Sequence, residues 1–245
     1  MSQALALPTR SNEDFRYADL AALAPLWPVA VEEIALGAGE HRALTITNTG
    51  GAAGVRELAI TLAPGASLAL HLLNASPAYG RIAVRAELGA GAEFTLDAAQ
   101  LAGGEATLEI VTHVTHAGPD AVSRQVVRSV AGGAATANYL GKVLVRSGAD
   151  GTDGAQSVRA MLLDRTATAN ARPELEIYAD DVKCAHGCAV GELDANGLFY
   201  LASRGLPPAD AKRLMLQAFI AEAFVGAAEE EALQAAALAA LEALL

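Results

Sequence analysis

Aromatic side chains are scarce in this sequence of 245 residues, in which Phe, Trp and Tyr together make up 4%. Carbohydrate clefts depend on aromatic rings, because a ring offers a large flat apolar surface for stacking. The scarcity therefore disfavours a sugar-binding cleft. Hydrophobic residues still make up 53% of the chain, which is enough to bury a sizeable core.

Basic residues are also few, with 17 Lys and Arg against 28 Asp and Glu, a formal net charge of −11 and a pI near 4.9. Such a chain lacks the positive field that attracts nucleic-acid phosphates or anionic lipids. We therefore expect no nucleic-acid or membrane partner. The expected partners are proteins, cations or metal-bearing species.

Cysteines and long apolar runs are nearly absent. The two cysteines, Cys184 and Cys188, fit a chain that stays in a reducing compartment. The longest apolar stretch, Leu233–Leu245, is shorter than a membrane span and contains Glu242. The start of the chain has no basic region before its apolar patch, unlike a secretory signal. These features predict a cytoplasmic protein.

The first 28 residues predict a short helical segment. Ser11 or Asn12 can cap a helix that runs to Leu26 and stops before Pro28. The lone Trp27 at its end is typical of a packing anchor between this segment and the core.

Residues 29–193 form a predicted β-rich core of short runs separated by glycines and small residues. A hydrophobic residue followed three positions later by glycine recurs, at first every 26 residues, at Leu36/Gly39, Leu62/Gly65, Leu88/Gly91 and, further on, Val130/Gly133. Stacked coils with a glycine at one corner would give this regularity. Hairpins of an antiparallel sandwich explain the same turns, so the residues leave both folds open.

Residues 194–245 predict a C-terminal helical subdomain. Asp194 can cap a first helix that Gly205 ends, and Pro207 and Pro208 open a second helix that runs to about Phe224. A last helix, rich in Ala and Leu, follows three glutamates that favour the positive end of a helix. The helices form an appendage on the β core, and their amphipathic faces are expected to pack on each other.

The stretch Pro173–Gly191 carries most of the candidate chemistry, with Cys184, His186 and Cys188 at alternate positions. On a straight strand these three side chains point the same way, and the outer two lie about 13 Å apart. That span excludes a disulfide and prevents one metal ion from reaching all three side chains. The residues alone therefore favour a buried thiol and a core or interface histidine.

The remaining candidate site residues give little indication of a functional site. His113 and His116 lie three apart, on opposite faces of a strand, so we interpret them as ordinary turn or surface histidines. His41 and His71 are isolated. The glycine-rich run Ser147–Gly154 lacks the Lys-Ser/Thr ending of a phosphate loop and is predicted to be a turn between strands.

One string, DDVKCAHGCAVGELDANGLFYLASRGL over Asp180–Leu206, closely resembles the SufB/SufD family of iron–sulfur cluster assembly scaffold proteins, in its SufD branch. The likeness extends over about residues 110–225 and includes PTRSNEDFRYADL near the start. Three departures stand out. The family has Trp where Phe15 stands and Ala-Thr where Cys188-Ala189 stand, and this chain is a shortened form.

The resemblance implies a mainly β fold: a right-handed parallel β-helix core with a short N-terminal helical segment and a C-terminal helical subdomain. It also implies a non-catalytic scaffold subunit that pairs with a SufB-like subunit and docks a SufC-like ATPase through Leu206–Leu245. In the family, the histidine matching His186 is implicated in holding a transient iron–sulfur cluster at the interface of the two subunits. Cys184 matches a family position and Cys188 does not, so both are weaker metal candidates. A single isolated chain is expected to bind no cluster tightly.

Two alternatives remain at this stage. One is a β-helix carbohydrate-active enzyme that uses Asp180, Asp181 and His186 as acid and base groups. The other is a structural homodimer without metal function.

Overall fold

The computed structural model describes residues 6–245, and its core consists of twelve β-strands in the described part of the chain. Their bounds are β1 Val31–Leu36, β2 His41–Asn48, β3 Ala53–Leu62, β4 Ser67–Asn74, β5 Tyr79–Leu88, β6 Glu93–Ala102, β7 Thr107–His116, β8 Val122–Ala131, β9 Thr136–Val145, β10 Asp153–Leu162, β11 Thr168–Ile177 and β12 Lys183–Gly191.

The strands alternate between two sheets. The odd strands form one six-stranded sheet and the even strands form the other, and every strand pairs in parallel with the strand two places along the chain. The pairing offset is 26 residues between β1 and β3 and has grown to 32 between β9 and β11. The chain therefore winds into a parallel β-solenoid of about six coils, which decides between the coil and the sandwich.

The repeated glycines mark one corner of the solenoid. Gly39, Gly65 and Gly91 lie where an odd strand turns into the next even strand, and all three have left-handed φ angles of 61° to 68°. Asp120, at φ 58°, occupies this corner in the following coil. Gly133 lies at the opposite corner, between β8 and β9, so including Val130/Gly133 in the series was wrong, and this explains the broken interval.

The interior between the sheets is filled mainly by aliphatic side chains from alternate strand positions. Leu70 and Leu96 are neighbours in register on adjacent even strands, and both are fully buried. Because each coil stacks side chains of similar type on those of the previous coil, the core is continuous along the solenoid axis.

The N-terminal helix is much shorter than predicted. A 3₁₀ turn covers Glu13–Phe15, and the α-helix α1 covers only Leu20–Leu23, followed by a second 3₁₀ turn. The cap is Asp19, whose carboxylate accepts hydrogen bonds from two backbone N–H groups. Trp27 packs edge-on against Phe15 with ring centroids 5.9 Å apart, which confirms its role as a packing anchor.

The C-terminal helices are α2 Ala195–Ser203, α3 Pro208–Ala221, followed by a 3₁₀ turn Glu222–Phe224, and α4 Glu230–Glu242. Asp194 caps α2, and Gly205 adopts φ 90° after it, as predicted. The apolar faces of α3 and α4 do more than pack on each other, because they also cover outward-facing side chains of the even sheet. Within residues 6–245, no helix is long and apolar enough to cross a membrane.

Candidate functional site

The stretch predicted to carry the site spans two strands that belong to different sheets. β11 ends at Ile177 in the odd sheet, and β12 begins at Lys183 in the even sheet. The stretch is therefore two strands separated by an exposed turn, and not one continuous strand. Asp180 and Asp181 lie in the connecting turn, where both side chains are exposed to solvent. β11 and β12 together form the terminal coil of the solenoid.

Register shows where the candidate ligands point. Cys184, His186 and Cys188 pair with Gly154, Gln156 and Val158 of β10, respectively. All three β10 residues are buried. The candidate ligands therefore continue the inward-facing columns of the even sheet.

The terminal coil leaves these inward-facing positions uncovered. Cys184 is half-buried against the core, and burial raises the pKa of its thiol. His186 and Cys188 are exposed, because β12 has a neighbouring strand on one side only in the described structure. No group of three metal-ligating side chains converges anywhere in residues 6–245. The candidate ligands thus lie on an open edge of the solenoid and do not enclose a centre.

Polar side chains occupy the solenoid interior beneath this edge. Tyr139 is fully buried, and its hydroxyl lies 3.0 Å from the Thr112 hydroxyl, with either group able to donate. The same hydroxyl donates to Gln125 Oε1 at 3.3 Å and accepts from Gln156 Nε2 at 3.1 Å. The aliphatic column of the earlier coils therefore becomes polar before it reaches His186.

Two polar atoms of this interior network are buried without a hydrogen-bond partner among the described residues: Gln156 Oε1 and Gln125 Nε2. Buried polar atoms of this kind are uncommon, because each one loses its hydrogen bonds to water. Gln156 is the register neighbour of His186 on the same face. An acceptor without a partner therefore lies next to the candidate imidazole ligand.

The side chains of His113 and His116 make hydrogen bonds within the fold. His113 and His116 face opposite sides, as predicted, but His116 is not a surface residue. It is fully buried in the interior, and its Nε2 lies 2.9 Å from Ser123 Oγ. His113 lies on the outer face, where its Nε2 is 2.7 Å from Asp14, and this hydrogen bond lowers the pKa of the carboxyl. The glycine-rich run lies mainly in the connection between β9 and β10, as predicted, and its last two residues begin β10.

The sequence interpretation missed two ion pairs on the outer faces, each with a buried arginine. Glu109 is buried as well, whereas the Glu222 side chain is 57% exposed. Arg81 is fully buried under the N-terminal segment and donates to Glu109 at 2.7 Å. Arg128, 2% exposed, donates to Glu222 at 2.7 Å beneath the C-terminal helices. Consecutive apolar residues such as Leu72-Leu73 were the available signal that both faces of the sheet are covered. A strand with only one covered face alternates apolar and polar residues instead.

Helix α2 forms a second exposed feature. None of its residues is buried, and the Phe199 and Tyr200 side chains remain 76% and 57% exposed. Gly197 lets α2 approach α3 closely, since a Cβ at this position would lie 3.0 Å from Met215 Cε. The helix thus presents two aromatic side chains to solvent on a supported base. Exposed aromatic clusters of this kind are typical of protein contact sites.

Fold and site together define a two-sheet parallel β-solenoid that has histidine and cysteine side chains exposed or half-buried at its terminal coil and a C-terminal helical subdomain. The family model described as "SUF system FeS cluster assembly, SufBD core domain" matches residues 27–219. The match covers most of the chain, which therefore belongs to the SufBD family. The fold agrees with the expected parallel β-helix, and the hand of its coil stays a prediction.

Among curated proteins, the chain is similar to the iron–sulfur cluster assembly protein SufD of Escherichia coli, with 40% identity over 100 residues, or 41% of this chain and 24% of that protein. An iron–sulfur cluster assembly SufBD family protein of Synechocystis shares 40% identity over 104 residues, or 42% of this chain and 23% of the relative. A chloroplastic protein of Arabidopsis thaliana shares 37% over 119 residues, covering 48% and 25%. The matched part spans about a quarter of the length of these relatives.

Proposed function

We propose that this chain is a non-catalytic scaffold subunit of a SUF-type assembly complex. It pairs with a SufB-like subunit through the terminal coil and contributes His186 to a transient iron–sulfur cluster that both subunits hold. It also docks a SufC-like ATPase through the C-terminal helices. One observation carries the proposal. His186 continues an inward-facing column of the even sheet, yet it is exposed because its strand has a free edge, and the chain belongs to the SufBD family.

A shared site follows from the ligand geometry. One strand separates Cys184 from Cys188 by about 13 Å, which is too far for one ion. An imidazole is a competent ligand for iron, and a lone ligand suits a cluster that a second chain completes with thiolates. The free edge of β12 offers unpaired backbone groups to a partner strand, so the partner's ligands would arrive on an adjacent strand.

We place the ATPase contact on α2, which precedes the Leu206–Leu245 segment that the resemblance implies, because the exposed aromatic residues of the helical subdomain lie there. Phe199 and Tyr200 project from α2, whereas α3 and α4 use their apolar faces against the even sheet. Aromatic residues with little internal packing are the side chains that most often dominate a protein interface. ATP hydrolysis belongs to that partner, since this sequence has no phosphate loop.

The carbohydrate-enzyme alternative gains no support from the geometry. Asp180 and Asp181 lie exposed in the turn between β11 and β12, and His186 lies on the following strand. An acid and base pair for glycoside chemistry must flank a bound sugar, and at least one carboxyl needs surroundings that keep it protonated. Two solvent-exposed neighbours on a turn do not offer such surroundings.

The test is anaerobic cluster reconstitution in the complex with the SufB-like and SufC-like partners, with iron and sulfide content as the readout. We expect His186→Ala to lower cluster content while the complex still assembles, because one imidazole contributes little to a large interface. Cys188→Ala is the matched control on the same strand and should be nearly silent in this complex. If His186→Ala keeps the wild-type cluster content and Cys188→Ala loses it, the ligand assignment is wrong.

A further inference from the structure

His71 lies on the outer face of the even sheet, beneath the C-terminal helical subdomain. The residue is isolated in the sequence, and in the fold it is 2% exposed. Its Nε2 lies 3.3 Å from the Val225 carbonyl oxygen and 3.8 Å from Oδ2 of Asp97, its register neighbour on β6. Val225 belongs to the connection between the 3₁₀ turn Glu222–Phe224 and α4. One imidazole nitrogen therefore faces two oxygens from distant parts of the chain.

The Asp97 carboxylate has lost much of its contact with water without gaining a hydrogen bond. Its side chain is 25% exposed, and no described residue donates a hydrogen bond to it. Burial raises the pKa of this carboxyl. The nearby Arg128 guanidinium donates to Glu222 at 2.7 Å instead. Because a poorly hydrated carboxylate is costly, a cation beside Asp97 would stabilise its charged form.

The second ring nitrogen of His71 also lacks a partner. Nδ1 is buried and makes no hydrogen bond with any described residue, and the same holds for Thr45 Oγ1. Thr45 is the register neighbour of His71 on β2, so both side chains point to the same face. Either neutral tautomer leaves one nitrogen unsatisfied, because an unprotonated Nε2 faces two oxygen acceptors and an unprotonated Nδ1 has no donor. Buried polar atoms of this kind are uncommon and indicate a missing ligand.

A divalent cation bound to Nε2 would satisfy these groups together. Ligands held about 2.0–2.2 Å from zinc lie about 3.3–3.6 Å apart at tetrahedral angles. The 3.3 Å between Nε2 and the Val225 oxygen fits this spacing, and the 3.8 Å to Asp97 needs only a small movement of the carboxylate. With Nε2 bound to the ion, the ring proton lies on Nδ1. Metal-bound histidines almost always donate this proton to an acceptor, and the Thr45 hydroxyl can serve as one.

We propose that His71 Nε2, Asp97 Oδ2 and the Val225 carbonyl oxygen bind one divalent cation of the zinc class, with water at the remaining position. Three protein ligands and one water are a usual set for an open zinc site. Only two of these ligands are side chains, so the site is consistent with the absence of three converging metal-ligating side chains in residues 6–245. A formal net charge of −11 favours cations near the chain.

The ion links two parts of the fold. His71 and Asp97 belong to the even sheet, whereas Val225 belongs to the connection that leads into α4. Binding therefore holds the connection of residues 225–229 against the solenoid. The inference goes beyond the scaffold function, because the site uses neither His186 nor the cysteines and needs no partner subunit.

The experiment is a titration of the full-length protein with Zn²⁺ alone at pH 7, followed by NMR of isotope-labelled histidine rings. The chain has five histidines, so His71 and His186 are separate probes in one sample. We expect the His71 ring to change to the pattern of a proton on Nδ1 and a metal on Nε2. Asp97→Asn should abolish this change, and Thr45→Val should weaken Zn²⁺ binding at His71 by about 10- to 100-fold. Glu93→Gln is the matched control, since it removes an exposed carboxylate from the same strand, and should bind as wild type.

Amide hydrogen exchange over residues 225–229 should slow with Zn²⁺ in wild type and in Glu93→Gln but not in Asp97→Asn, and unchanged exchange in wild type would refute the link between the connection and the sheet. The site itself is refuted if Zn²⁺ leaves the His71 ring unchanged while it shifts His186, or if Asp97→Asn keeps the wild-type affinity at His71. A His71 ring that carries protons on both nitrogens and keeps them with Zn²⁺ refutes it too, because a proton then takes the place of the ion. Circular dichroism verifies the folding of each variant. The scaffold function is tested separately, by iron and sulfide in the complex with the other subunits.

Discussion

We predict that the burial of His116 makes the free energy of unfolding fall in acid. The imidazole is fully buried in the solenoid interior beside Ser123. Burial lowers its pKa from the ordinary 6.5 to about 4. The folded protein therefore holds His116 neutral over a pH range in which the unfolded chain becomes protonated.

The sign and size follow from proton linkage. Above pH 6.5 both states are neutral at this residue and His116 contributes no pH dependence. As the pH falls below 6.5 the unfolded state gains a proton first, so the free energy of unfolding decreases until the folded state is also protonated near pH 4. One pKa unit corresponds to about 1.4 kcal/mol, so the full loss is about 3 kcal/mol, of which about 2.5 kcal/mol is present at pH 4.5.

The assay compares wild type with His116→Gln by urea unfolding at pH 7 and pH 4.5. Glutamine can still hydrogen-bond to Ser123 but does not titrate. The other ionisable groups contribute equally to both proteins, and their effects cancel in the difference between the two pH-dependent losses. We expect wild type to lose about 2.5 kcal/mol more than the variant over this interval. The His116 ring resonance in an NMR titration should have its midpoint near pH 4.

Equal losses in both proteins, or a ring resonance that titrates near 6.5, would refute the argument that burial keeps His116 neutral. The NMR titration uses wild type only, so it decides the question even if the glutamine variant folds poorly.

Two further predictions concern the outer surfaces. Phe199→Ala should weaken binding of the SufC-like ATPase about 30-fold by calorimetry, the effect of losing about 2 kcal/mol at an aromatic hot spot. Tyr178→Ala removes an aromatic side chain from the β core that is 65% exposed, against 76% for Phe199, and should leave the dissociation constant unchanged. Glu109→Ala should lower the free energy of unfolding by about 3–5 kcal/mol, because it leaves the buried Arg81 guanidinium without its carboxylate. Much of that loss should return in the double variant Arg81→Met/Glu109→Leu, and a double variant as unstable as the single one would contradict the ion-pair explanation.

The sequence by itself determined much of the architecture. Period-two apolar patterns identified the β core, and the 26-residue spacing of Gly39, Gly65 and Gly91 matched stacked coils without excluding a sandwich, because a corner that needs a left-handed backbone recurs once per turn of a coil. The caps of the C-terminal helices were also predictable, since Asp194 and Gly205 act on their own neighbours. The candidate ligand string was recognisable from residue type and order alone.

Tertiary structure decided what depends on distant parts of the chain. The residues alone could not separate coils from a sandwich, because local turns are compatible with both, and only the parallel register of β1 with β3 and of later pairs excludes hairpins. The burial of Arg81 and Arg128 depends on segments 66 or more residues away, Phe15 and Glu222 among them, so consecutive apolar residues can indicate that an outer face is covered but not which segment covers it. The exposure of His186 has the same origin. Its neighbours predict an inward-facing position, and only the absence of a further coil over β12 in the described structure leaves that position open.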